Sequence, residues 1–141
     1  MPDITPLSSR GDIDVLLTSF YEGALVDDLL GPAFRHAQLD LRTHLPRIGD
    51  FWERTLLATG RYDGQPMVTH RRLHDTFPLT PPMFARWLEL WRDAVDSRFD
   101  GANATRAKDT AQRVADALQR QLHDGRTLLQ IGHCQAEGER T

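Results

Sequence analysis

The chain has 141 residues, of which 40% are hydrophobic and 26% charged, and it carries a net charge of −3 at neutral pH. This is the size and composition of one ordinary folded domain, and it excludes the compositions of disordered, collagenous and membrane-spanning chains. So small and evenly spread a charge gives no footing for nucleic acid or an anionic membrane surface as a partner.

At the N-terminus no basic flank precedes an apolar stretch, and no run of about 18 apolar residues occurs, so a cytoplasmic protein without a membrane span is expected. From Asp12, apolar residues fall at Ile13, Leu16, Leu17, Phe20, Tyr21, Ala24 and Leu25, the three-and-four spacing of one helical face. This helix should end where Asp27 and Asp28 give way to Leu29, Leu30, Gly31 and Pro32, which break a helix; Phe34 then anchors a turn or short helical piece. A second long helix shows Leu41, Leu45, Ile48, Phe51, Trp52, Thr55 and Leu56 at the same period, and must stop by Gly60. Because Pro46 disfavours helical geometry at Leu45 yet is accepted in a first turn, the continuous helix is expected to begin near Thr43, with Thr43 as its N-cap. His44 lies on or near its apolar face.

A turn-rich stretch, Arg61 to Gln65, follows, and Pro66 opens a short segment with Met67, His70, Leu73 and His74 at helical spacing. Phe77 to Pro82 reads as an irregular link, in which Thr80 and Pro81 are the N-cap and first position of a strong helix carrying Phe84, Trp87, Leu88, Leu90, Trp91, Ala94, Val95 and Phe99. Gly101 stands where a C-terminal cap for that helix is expected. The last helix, from about Asn103, presents Ala107, Ala111, Val114, Ala115, Leu118 and Leu122. No segment alternates long enough for a strand and no repeat is present, so the chain reads as one all-α domain over 1–141, with its core at about 12–123 and a flexible tail at about 125–141. Cys134, in that tail, has no disulfide partner and no neighbouring metal-ligand pattern.

No carboxylate falls among the apolar positions, no glycine-rich phosphate loop follows a strand, and no serine sits in a nucleophile elbow. The histidines are the unusual feature. His44 and His70 each lie within an apolar stripe, on segments separated by a loop and rich in aromatics, and two facing histidines around a flat apolar cavity would suit a metalloporphyrin. A histidine on an apolar face is nonetheless more often a satisfied core residue than a ligand. His70 and His74 are four apart, a spacing that can hold zinc, but no third ligand is evident and the metalloprotease glutamate is missing. Trp52, Trp87, Trp91 and the phenylalanines are of types more often plain core than cofactor wall, and periodicity cannot separate the two.

Five ordered motifs add a resemblance. They are Phe20-Tyr21-Glu22; Leu30-Gly31-Pro32-Ala33-Phe34; His44-Leu45-Pro46-Arg47-Ile48-Gly49-Asp50-Phe51-Trp52; Tyr62-Asp63-Gly64-Gln65-Pro66-Met67 followed by His70; and Leu79-Thr80-Pro81 leading to Phe84-Ala85-Arg86-Trp87-Leu88. In this order, over about Ile13 to Leu122, they resemble the truncated haemoglobins of the third group. The resemblance implies a shortened globin fold, two helices over two, with haem b between them and His70 as proximal ligand to the iron. His74, one turn later, is expected to face solvent or a propionate.

On the opposite, distal face the resemblance implies Tyr21, His44 and Trp87. Each carries a donor that can stabilise a partly negative diatomic ligand, so that two good donors slow its release by roughly two to four orders of magnitude. Tyr21 and Trp87 would hold the ligand, while His44, beside Pro46 at a weakly pinned helix start, would move to admit it. The pocket walls implied are Phe20, Ile48, Phe51, Trp52, Leu56, Tyr62, Met67, Phe77, Phe84 and Leu88, with Arg71 or Arg72 pairing a propionate. In one departure, Asp40 is followed by Leu41 where members often carry tryptophan. The function expected is reversible binding of O2, CO, NO or related ligands, with nitric oxide dioxygenase or peroxidase-like chemistry left open. The dioxygenase would need an external reductase, and the chain would be a monomer or weak homodimer. The competing class is a cofactor-free helical interaction module.

Overall fold

The computed structural model describes residues 4–59, 74 and 78–123. Five helices are present among them: α1 (Arg10–Ala24), α2 (Gly31–Ala37), α3 (Leu41–Leu57), α4 (Pro81–Asp96) and α5 (Ala102–His123). None is long and apolar enough to cross a membrane. The expected short helix around Met67, His70 and Leu73 and the tail at 125–141, Cys134 included, lie outside the described residues.

α1 begins earlier than its stripe suggests, because Ser9 and Asp12 cap it reciprocally. The Ser9 hydroxyl accepts from Asp12 N–H (3.1 Å) and the Asp12 carboxylate accepts from Ser9 N–H (3.2 Å). Its buried residues, Ile13, Leu16, Leu17, Phe20, Tyr21 and Ala24, are the predicted stripe without Leu25, which is half-buried at the C-cap. Gly31 and Pro32 open α2 rather than only closing α1. A Cβ on Gly31 would lie 2.9 Å from the Leu25 carbonyl oxygen, so this corner admits no larger residue without a shift.

α3 corrects the expected start at Thr43. Asp40 is the N-cap: its carboxylate accepts from Arg42 N–H (3.0 Å) and its carbonyl from Thr43 N–H (3.2 Å) and His44 N–H (2.9 Å). Pro46 therefore lies inside the helix, and the weakly pinned start expected for His44 is instead a capped one. α4 starts as expected, with Thr80 at the N-cap and Pro81 at the first position. It closes on Ser97, and Gly101, at φ +90°, stands before α5 instead of capping α4; its carbonyl accepts the Thr105 N–H (3.0 Å). The reading of no strands missed one short contact, the parallel pairing of β1 (Thr5–Pro6) with β2 (Phe99–Asp100), which two-residue segments cannot signal by alternation.

α1 packs on α3 and on α4, α4 on α5, and α3 on α5, so the α1–α3 pair lies over the α4–α5 pair as two helices over two. A stripe of small residues, Ala104, Ala107, Ala111 and Ala115, each at most 2% exposed, lets α5 approach closely. The Trp91 indole N–H donates to the Ala107 carbonyl across that seam (3.1 Å). The core reaches back to Leu7, ahead of the limit expected near residue 12.

Candidate functional site

Between the helix pairs is a cavity of about 340 Å³, within the range of small-molecule sites. α1 contributes Leu17, Phe20 and Tyr21; the α2 region Leu30, Ala33, Phe34, Ala37 and Leu39; α3 His44, Ile48, Phe51 and Trp52; α4 and the link before it Leu79, Met83, Phe84, Trp87 and Trp91; α5 Val114 and Leu118. The wall is aliphatic and aromatic except at a few polar atoms, chiefly those of Tyr21, His44 and Trp87.

Helical periodicity brings Tyr21 here: it occupies the inner face of α1 one residue after Phe20, whose ring it meets edge-on at 5.0 Å, and it is only 7% exposed. Its hydroxyl stands 2.7 Å from His44 Nε2, with the two rings perpendicular at 5.3 Å, and Phe34 flanks it at 5.9 Å. Burial pushes the phenol's pKa well above its ordinary value, so the hydroxyl keeps its proton as a donor. Trp87 meets Phe20 edge-on at 6.3 Å, and its indole N–H has no hydrogen-bond partner among the described residues. Behind it, Trp91 stacks on Trp52 at 4.8 Å and 22°. This face is therefore apolar and aromatic, with clustered N–H and O–H groups, a donor set that fits a flat apolar cofactor presenting a polarised ligand.

Of the residues named from sequence, Tyr21, His44, Trp87, Phe20, Ile48, Phe51, Trp52 and Phe84 all line this cavity. Leu56 and Leu88 are buried in the core without lining it. His70, Tyr62, Met67, Arg71, Arg72 and Phe77 lie outside the described residues. His74, expected toward solvent or a propionate, is half-buried, and its Nδ1 accepts the N–H of Leu79, a residue of the cavity wall (2.9 Å). Among the described residues no three His, Cys, Asp or Glu side chains gather as a metal site.

Sequence reasoning missed the contributions of α2 and α5 to the wall, and it missed Asp27. That carboxylate, 6% exposed, accepts from Arg86 Nε (2.6 Å) and from the N–H groups of Leu29 and Leu30 (3.0 Å each), tying the α1–α2 corner to α4 beside Trp87. Burial pushes its pKa up, but the bonds from Arg86, Leu30 and Leu29 outweigh this and hold it below the usual carboxylate value. An aspartate ending a helix gives no signal of a partner 59 residues away.

No family model matches the chain. A relative, Group 3 truncated hemoglobin ctb of Campylobacter jejuni, is 30% identical over 119 residues, covering 82% of this chain and 91% of the relative. The crystal structure of a group III truncated hemoglobin from Campylobacter jejuni aligns with a TM-score of 0.73 at 30% identity, over 81% of this chain and 91% of that one. Shared sequence and shared architecture over most of both chains lead to one conclusion: the chain belongs to the group III truncated haemoglobins.

Proposed function

We propose that this chain binds haem b with the His70 imidazole on the iron and holds dioxygen or another diatomic ligand against Tyr21 and Trp87 on the opposite face. Family membership supports haem-based ligand binding in general. One observation carries the finer reading: a buried phenol hydroxyl and an imidazole nitrogen stand 2.7 Å apart in the wall of an otherwise apolar cavity. The place of His70 rests on the sequence, where it follows Gly64-Gln65-Pro66-Met67. Haem, when bound, supplies an iron that takes small ligands reversibly.

The Tyr21 hydroxyl has a single proton to give. Directed at an unprotonated His44 Nε2, it closes the pair and serves no ligand; with Nε2 protonated, His44 donates to the Tyr21 oxygen and the Tyr21 O–H is released toward the cavity. The same two side chains thus form a closed pair or a donor relay, differing only in tautomer. Trp87 adds an N–H whose direction needs no such exchange. Donors of this kind slow ligand release, which favours turnover of the ligand over its delivery. Turnover of nitric oxide would draw electrons from a reductase outside this chain, and cleavage of peroxide would use His44 as the proton carrier.

The purified full chain is expected to be red, with a strong Soret band that shifts under carbon monoxide, and to lose that band in His70→Ala. A colourless, folded wild type would overturn the haem reading in favour of a helical interaction module. An unaltered Soret band in His70→Ala would move the iron ligand elsewhere.

A further inference from the structure

We propose that Arg10 is a positioning residue for the Tyr21–His44 pair: its guanidinium, bonded at the proline break of α3, sets where His44 stands relative to Tyr21. The inference rests on the reading of those two residues as the ligand-facing pair.

Arg10 is the first residue of α1, and its side chain engages four acceptors. Nε donates to Asp14 (3.0 Å), Nη1 to Asp50 (2.8 Å) and Glu53 (2.7 Å), and Nη2 to the Pro46 carbonyl (3.2 Å). The guanidinium lies directly against Gly49, where an added Cβ would come within 2.6 Å of Nη2 and 3.0 Å of Cζ. Glu53 is held from its other side by the Thr59 hydroxyl (2.9 Å). Isolated surface ion pairs contribute little, but a planar fork shared among four acceptors on two helices fixes geometry.

The geometry matters because α3 is weak at this point. Pro46 has no N–H, so the Arg42 carbonyl lacks its usual intrahelical donor, and the segment 41–45 that carries His44 is joined to the rest of α3 across a missing bond. α1 and α3 run in opposite senses, with Tyr21 meeting His44 on one side of the proline and Arg10 meeting Asp50 and Glu53 on the other. The two anchors are eleven residues apart on α1, about 16 Å. Without the Arg10 anchor the two parts of α3 can pivot at Pro46, and the Tyr21–His44 separation becomes variable.

Two variants test this in the full-length chain. Arg10→Met removes the fork. Gly49→Ala leaves Arg10 in place but displaces its guanidinium, and it introduces a better helix former, so its melting temperature should be unchanged or higher. In the carbon monoxide form of the haem-loaded protein, both variants are expected to add a second component to the C–O stretching band. Both should also admit carbon monoxide about two- to tenfold faster, the weight of one neutral hydrogen bond. In the haem-free full chain, both should shift the imidazole 15N resonances of His44, a readout that survives even if the haem reading fails. Unchanged bands and unchanged His44 resonances in both variants would overturn the proposal. So would a change confined to Arg10→Met together with a lower melting temperature, the mark of a merely structural role.

Discussion

At Tyr21 the decisive quantities are a 2.7 Å contact to His44 and a residue exposure of 7%, which together leave a protonated phenol whose one proton His44 and the proposed ligand would both claim. Hydrogen bonds to a charge-bearing acceptor contribute about 1.5–3 kcal/mol, so Tyr21→Phe is expected to speed dioxygen release roughly tenfold to a hundredfold in stopped-flow displacement by carbon monoxide. An unchanged rate would assign the ligand to Trp87 alone. Tyr21, His44 and Trp87 were legible because each belongs to an ordered motif. Arg10 and Asp27 were not, since their partners on other helices lie 36 to 59 residues away and a contact between distant helices leaves no periodic trace. Asp27 reads in sequence as the end of a helix, and only packing reveals that it is nearly buried under Arg86.

Helix interiors were readable from their stripes, and helix ends much less so. The boundary of α3 shows why: Pro46 and Thr43 offer a plausible start, yet Asp40, three residues earlier, satisfies three N–H groups at once and wins. The difference bears on the site. With Asp40 as cap, the His44 N–H is bound to the Asp40 carbonyl and the first turn of α3 holds the imidazole on station against Tyr21. Asp40→Ala should therefore lower stability by about 1 kcal/mol through loss of the side-chain cap. It should also speed carbon monoxide admission by fraying the turn that bears His44. Urea denaturation and flash photolysis read the two effects separately; a stability loss with unchanged admission would show that the Asp40 cap is not what keeps His44 in place. Gly101 teaches the same lesson, because a glycine between two helices can close the first or open the second, and the positive φ before α5 belongs to the second.

At the scale of the molecule, four amphipathic helices in two pairs enclose a cavity of about 340 Å³ inside a chain of 141 residues. The stripes announced the four helices, but they could not announce the cavity, since a residue facing a ligand and one facing another helix are equally apolar. Trp52 and Phe84 line the cavity while Leu56 and Leu88, on the same two helices, do not. A ligand that fills so large an apolar space adds close contacts along walls such as Phe51 and Ile48, and close packing is what holds a core together. A ligand that binds only the folded state adds stability by mass action, about 4 kcal/mol at a free concentration a thousandfold above its Kd. The haem-free chain is accordingly expected to melt well below the haem-loaded one, with a melting temperature that climbs as haem is titrated in. His70→Ala should abolish most of that climb, whereas Tyr21→Phe, which leaves the proposed iron ligand unchanged, should leave it nearly intact. Equal melting temperatures with and without haem would mean that α1, α3, α4 and α5 pack fully by themselves, and the cavity would then owe its shape to the protein alone.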